Sequence, residues 1–327
     1  MKTFKYKSVI LTCALVLLEL TSFALHPKKS SDKLIWKGTS HAAFTSLVQY
    51  HDTLYCAFRN ANKHVDVNGM DCGVIKIIMS SKGEKWEDYL TFTESGYDLR
   101  DPQLSVTPAG EMMLLTEKVK YENGKAVTRN SCVSFIKSKR QYTPLQSVTF
   151  DVSQNWNWIW NVEWIDGVAY GFCYAPFFGM VKSSDGINYD LVDIINLQRN
   201  PSEGSIAKLN SNHYLAVVRT DGVAYLGIYD VNEGKWRWKD CDEMIACPKV
   251  INYKNKVYIV GRSYIGGLKT SVYKFDEKTA RLKNIFRITG GEDCSYPGIA
   301  EFNRRLYISF YKGNTNVSDI YVTSISL

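Results

Sequence analysis

The sequence predicts an all-β fold, a six-bladed β-propeller. Three observations predict it: one strand–turn–strand unit recurs six times, its turns carry hairpin residues, and no segment has a convincing long helical period. The units are "AFTSLVQYHDTLYCAF" from Ala43, "PQLSVTPAGEMMLL" from Pro102, "VEWIDGVAYGFCYA" from Val162, "GSIAKLNSNHYLAVV" from Gly204, "PKVINYKNKVYIVG" from Pro248 and "PGIAEFNRRLYISF" from Pro297. Gly, Asn or Asp separates the alternating runs, as tight hairpins require. Successive units start 42 to 60 residues apart, which leaves room for two further strands each. Runs such as "CGVIKIIMSS" and "YGFCYAPFFGMVKSS" supply them. Four-stranded units at that spacing read as propeller blades.

The 327 residues are 45% hydrophobic and 13% aromatic, enough for a large core. Residues 1–24 read as a signal peptide: Lys2, Lys5 and Lys7 precede an apolar run from Val9 to Leu18, and Ser22 and Ala24 fit a small-x-small cleavage site. The expected location is periplasmic or secreted. Residues 25–327 then form a single propeller domain, expected to be a monomer without a membrane span. The end "SDIYVTSISL" needs an outer neighbour, and "DKLIWKG" is placed to provide it and close the ring.

Removing the signal lowers the formal charge from +7 to +5 and leaves seven cysteines. A mildly basic chain without Lys/Arg runs suits an anionic small ligand and excludes a nucleic-acid partner. Cys241 and Cys247 are close enough to close a disulfide loop; Cys56, Cys72, Cys132 and Cys173 read as small buried hydrophobes. No metal-ligand spacing and no cofactor motif is visible.

In a propeller the innermost strands begin together at one face. The residues just before each unit should therefore ring a central pocket: His41, Asp101, Asn161, Glu203, Cys247 and Tyr296. Glu203 precedes one strand and Arg219 ends the next, which puts a carboxylate and a guanidinium at the same end of one hairpin.

At this point the sequence resembles the sialidase superfamily, including bacterial sialidase-like proteins with BNR (Asp-box) repeats. "SSDGINY" (183–189) and "SSKGEKW" (80–86) are degenerate Asp-boxes at third-to-fourth-strand turns. The resemblance implies Tyr296 as nucleophile, Glu203 as its base, and Asp71, with Asp66 as rival, as acid/base. It also implies Arg219 and Arg262 as substrate-binding arginines. Where the family opens its first blade with an arginine, this chain reads "SHAAF", with His41 at that place. Arg59 in "YCAFRNANKH" and Arg100 in "DLRDPQL" are the candidate replacements. The implied activity is exo-hydrolysis of a terminal, acidic sugar from a glycan. Two alternatives stay open: the same fold acting on a uronic or neutral sugar, and a glycan-binding propeller without catalysis.

The chemistry fits these residue types. Arginines bind a carboxylate bidentately and stay charged when desolvated. A tyrosine is neutral until it loses its proton, so it approaches an anionic sugar where a carboxylate nucleophile would be repelled. Each assignment has a structural competitor. Glu203 and Arg219 can be an ion pair that holds one blade, Arg59 and Arg100 can pair with Asp98 or Asp101, and Asp101 can cap a turn before Pro102. Trp158, Trp160 and Asn161 in "NWNWIWNVEW" are placed at the pocket rim, where an aromatic face can stack on sugar or pack between blades; Trp164 reads as packing.

Overall fold

The computed structural model describes residues 27–65, 73–152 and 156–327. The signal peptide and both acid/base candidates, Asp71 and Asp66, lie outside the described residues. Among the described residues the chain is all-β, with no α-helix, and no helix long and apolar enough to cross a membrane.

The strands pair into four blade-sized sheets of four or five strands and one sheet of nine. This corrects the expectation of six separate blades. The nine-stranded sheet runs from Asp293–Phe302 through Ser318–Ser326 to His41–Tyr50 and out to Glu87–Phe92. One parallel pair, Ser318 with His41, joins its two halves. The expected partner of the C-terminal strand is present: Lys33–Trp36 pairs antiparallel with Ser318–Ser326, and Lys28–Lys29 extends the pairing. A strand edge that would otherwise face solvent is covered.

The innermost strands are His41–Tyr50, Asp98–Val106, Ile159–Ile165, Gly204–Lys208, Ile245–Tyr253 and Asp293–Phe302. Each touches the next in cyclic order. The core is the set of apolar layers between successive units. Leu54, Phe58 and Ile78 pack against Phe302, Tyr311 and Ile320. Ile75 and Ile77 meet Leu104 and Leu114 in the next layer, and Val257 and Ile259 meet Leu215 and Val217 farther round. Alternation along each strand puts every second residue into such a layer. Where the last and first inner strands meet, a Cβ on Gly298 would come within 2.2 Å of the Leu47 nitrogen, so only glycine permits that approach.

The turn after Gly179–Ser183 shows what Ser, Asp and Gly do in such a box. Asp185 accepts the backbone N–H groups of Ile187 and Asn188, both at 2.8 Å, and Ser183 Oγ accepts the Gly186 N–H at 2.8 Å. Gly186 sits at φ 78°.

Candidate functional site

Four of the inner strands begin with a bulge at the same place. The ladder skips Phe44–Thr45, Asp101–Pro102, Cys247–Pro248 and Tyr296–Pro297. Phe44, Asp101, Cys247 and Tyr296 lie at φ 60°, 47°, 45° and 42°. Bulges of this kind re-aim side chains, and the proline, lacking an N–H, loses nothing by leaving the ladder. Non-glycine residues held at positive φ cost energy that the surrounding structure must offset. The bulge residue of the first unit is therefore Phe44, with His41 three residues earlier; Thr45 stands where the other three have proline, so the X-Pro signal is missing there.

Glu203 lies opposite Arg219, as the hairpin register requires. The Arg219 N–H donates to the Glu203 carbonyl at 2.9 Å, and Gly204 pairs with Val218. Their side chains share one face. Arg219 Nη1 donates to Glu203 Oε1 at 2.7 Å, and the Tyr296 hydroxyl donates to the same oxygen at 2.6 Å. The Cys247 N–H holds Glu203 Oε2 at 2.7 Å. Arg219 Nη1 is also 3.4 Å from the Tyr296 oxygen. The Arg262 guanidinium lies over the Tyr296 ring, 5.2 Å from its centroid. Burial, with the Glu203 and Asp101 charges, pushes the Tyr296 hydroxyl well above its ordinary range, and Arg219 opposes them. At rest the tyrosine is neutral.

Asp101, from the second unit, lies close enough to Glu203 and Tyr296 for its charge to act on both. Burial pushes its carboxyl up to about 6, with Arg100 opposing and Glu203 adding to the rise. Tyr174 belongs to this wall as well: it stacks on Trp158, centroids 5.3 Å apart, and its hydroxyl is raised by burial and by the charges of Asp101 and Glu203.

The arginines expected to replace the missing one are held by the protein. Arg59 is fully buried; its Nε and Nη2 donate to the two oxygens of Asp98 at 2.8 and 3.0 Å, and its Nη1 donates to the Lys63 carbonyl. Arg100 Nη1 donates to Asp98 Oδ2 at 3.0 Å and to the His64 carbonyl at 2.9 Å. Gly73 makes the pair possible, since a Cβ there would meet Asp98 Oδ1 at 2.3 Å. Arg59, expected as a substrate ligand, is instead held in a bidentate pair with Asp98 and buried from solvent. Arg262 donates to the Cys294 carbonyl, Asp293 Oδ1 and the Tyr311 hydroxyl. Of the side chains of these four arginines, Arg219 is the most exposed, at 29% against 0% for Arg59, 8% for Arg100 and 12% for Arg262.

His41 is fully buried behind Phe44. Its ring is edge-on to Phe44 at 5.8 Å, and Phe44 in turn meets Tyr296 at 4.7 Å. Burial lowers its pKa, which disfavours the charged form that would mimic an arginine. Trp160 is buried in an apolar cluster with Cys247 and Tyr296, so it packs rather than offering a stacking face. Asn161 accepts Lys249 Nζ at 3.1 Å. Trp164 donates to Ser105 Oγ at 3.3 Å inside an inter-sheet layer. Cys241 and Cys247 are both free thiols, and Cys247 Sγ accepts the Tyr296 N–H at 3.3 Å. The Cys241–Cys247 disulfide that the spacing allows is not formed, and Cys247 instead helps to position Tyr296. Sequence reasoning found no metal-ligand spacing, yet the fold gathers His41, His64 and Asp293.

No protein-family profile and no curated protein matches the sequence. Solved structures do. A protein of unknown function from Dyadobacter fermentans superposes with a TM-score of 0.81 at 16% identity, over 93% of this chain and 100% of that one. The NanB sialidase of Streptococcus pneumoniae, a K499G mutant, gives 0.69 at 9% identity, over 91% and 71%. The sialidase of Trypanosoma rangeli, in complex with the inhibitor DANA, gives 0.65 at 9% identity; it covers 89% of this chain, which spans only 55% of that enzyme. At these identities the likeness is one of fold: the chain has a sialidase-like β-propeller fold.

Proposed function

We propose that the chain is an exported exo-glycosidase that removes a terminal, acidic sugar, with Tyr296 as nucleophile and Glu203 as its base. The hydrogen bond of 2.6 Å from the Tyr296 hydroxyl to Glu203 Oε1 carries the reading. A nucleophile and base within that reach, with the base itself oriented by Arg219 and the Cys247 N–H, is the arrangement nucleophilic catalysis needs. Because the phenol resists ionisation, its proton passes to Glu203 as the bond to the anomeric carbon forms. The cations of Arg219 and Arg262 stabilise the phenolate character that develops. Asp101, its carboxyl pushed up to about 6 by burial, donates the proton to the leaving group on this reading, a role the resemblance gives to Asp71.

A second reading keeps the fold and the Tyr–Glu pair but changes the sugar to a uronic or neutral one. The pairing of Arg59 and Arg100 with Asp98 favours it, because the cluster then offers Arg219 alone as a partly exposed cation. The deciding experiment is a screen of the purified protein against aryl glycosides of sialic, uronic and neutral sugars. Hydrolysis of one class, abolished by Tyr296→Phe, supports the enzyme. Hydrolysis of none, with glycan-array binding retained, points to a binding propeller instead.

A further inference from the structure

The first and last units meet at a cluster that the Tyr–Glu chemistry leaves unused. His41 lies at the single bridge that joins the two halves of the nine-stranded sheet. His64 follows the strand Thr53–Ala61, and Asp293 opens the last inner strand. One carboxylate oxygen, Asp293 Oδ2, lies 3.6 Å from His41 Nε2 and 3.4 Å from His64 Nδ1. Neither distance makes a good hydrogen bond, and Asp293 Oδ2, both ring nitrogens of His41 and His64 Nδ1 are buried without a hydrogen-bond partner. Three ligand atoms that meet in one spot with only long contacts to one another depart from the rule that buried polar groups are well satisfied.

We propose that His41, His64 and Asp293 bind a divalent transition-metal ion of the zinc class. Two imidazoles and a carboxylate are its ordinary donors. With metal–ligand bonds of about 2.0–2.1 Å, ligands at tetrahedral angles stand about 3.3–3.4 Å apart. The two measured edges are 3.6 and 3.4 Å, and all three ligand atoms lie within 4.8 Å of one another.

The surroundings are those of a metal ligand set. The other oxygen of Asp293 is held by the Tyr311 hydroxyl at 2.7 Å and by Arg262 at 3.0 Å, which aims Oδ2 at the histidines. The backbone of His64 is fixed on both sides: its N–H donates to the Thr315 carbonyl at 3.2 Å, and its carbonyl accepts Arg100. The nearby guanidinium groups of Arg59 and Arg100 both pair with Asp98. The ion would be a clasp across the closure of the ring, with its fourth position left to solvent on the His64 side. This inference does not depend on the glycosidase reading.

The test uses tag-free, chelator-stripped protein dialysed against Zn2+, with bound metal measured by mass spectrometry and affinity by competition with a chromophoric chelator. The expected result is one ion per chain and a higher unfolding temperature with zinc. His64→Ala should weaken binding by about a hundredfold or more and remove the thermal shift, and Tyr311→Phe should weaken it by about 10- to 100-fold. His64 is partly exposed, so His64→Ala should keep the fold, checked by an unchanged circular dichroism spectrum. Absence of stoichiometric zinc, or stoichiometric binding that His64→Ala leaves intact, overturns the proposal.

Discussion

Asp98→Asn separates a structural role for Arg59 from a ligand-binding one. In the native protein Asp98 accepts Arg59 Nε and Nη2, Arg100 Nη1 and the Gly73 N–H, all at 2.8–3.0 Å. Arg59 is 0% exposed and Arg100 7%. Asparagine keeps the shape, removes the charge and turns an NH2 toward donors. Two buried guanidinium groups then lack their counter-ion, and breaking a buried pair in this way costs about 3–5 kcal/mol. The assay is urea unfolding of wild type, Asp98→Asn, Arg59→Met and the double variant, read from midpoints at constant slope. The double variant removes one of the stranded cations, so its loss should fall short of the sum by roughly 0.5–3 kcal/mol. If Arg59 instead served a ligand, Asp98→Asn would cost little and would tighten binding of an acidic sugar. A loss below about 1 kcal/mol, the size of an exposed pair, refutes the structural assignment.

Glu203→Gln should lower hydrolysis by about 10²- to 10⁴-fold, the usual contribution of a positioned base, with an unchanged circular dichroism spectrum; an active variant removes Glu203 from the mechanism. Asp101 has an ordinary value of 3.8 and is raised to about 6 in the folded chain. The native state therefore binds the extra proton, and its stability is fully present below pH 3.8 and lost as pH rises through 6. The difference is about 3 kcal/mol, and Asp101→Asn should flatten that part of the stability–pH curve. Reductant should leave the unfolding temperature unchanged, since Cys241 and Cys247 are free; a drop would restore the disulfide. Cys247→Ala should lower kcat with little change in KM, because it removes the Sγ that accepts the Tyr296 N–H.

The hairpin units were legible in the sequence because they are local. Period-two alternation and Gly/Asn/Asp turns specify a strand pair without reference to the rest of the chain. The same locality made Glu203 and Arg219 readable, since a short hairpin dictates that they oppose each other. Tyr296 was legible through its place before Pro297. The choice of charge partners was not. Arg59 and Asp98 are 39 residues apart, and His41 and Asp293 come from opposite ends of the chain. Which of several nearby carboxylates a guanidinium selects depends on distance and burial after the sheets have packed. Sequence order carries neither quantity. The backbone bulge that puts Phe44 in the pocket and His41 behind it is likewise a product of inner strands meeting around the axis. Sequence by itself determined the β-hairpin repeat and the Glu–Arg pair. Tertiary structure alone decided that Arg59 is buried on Asp98, that Cys247 supports Tyr296, and that two histidines share one carboxylate oxygen, because those contacts exist only once the ring is closed.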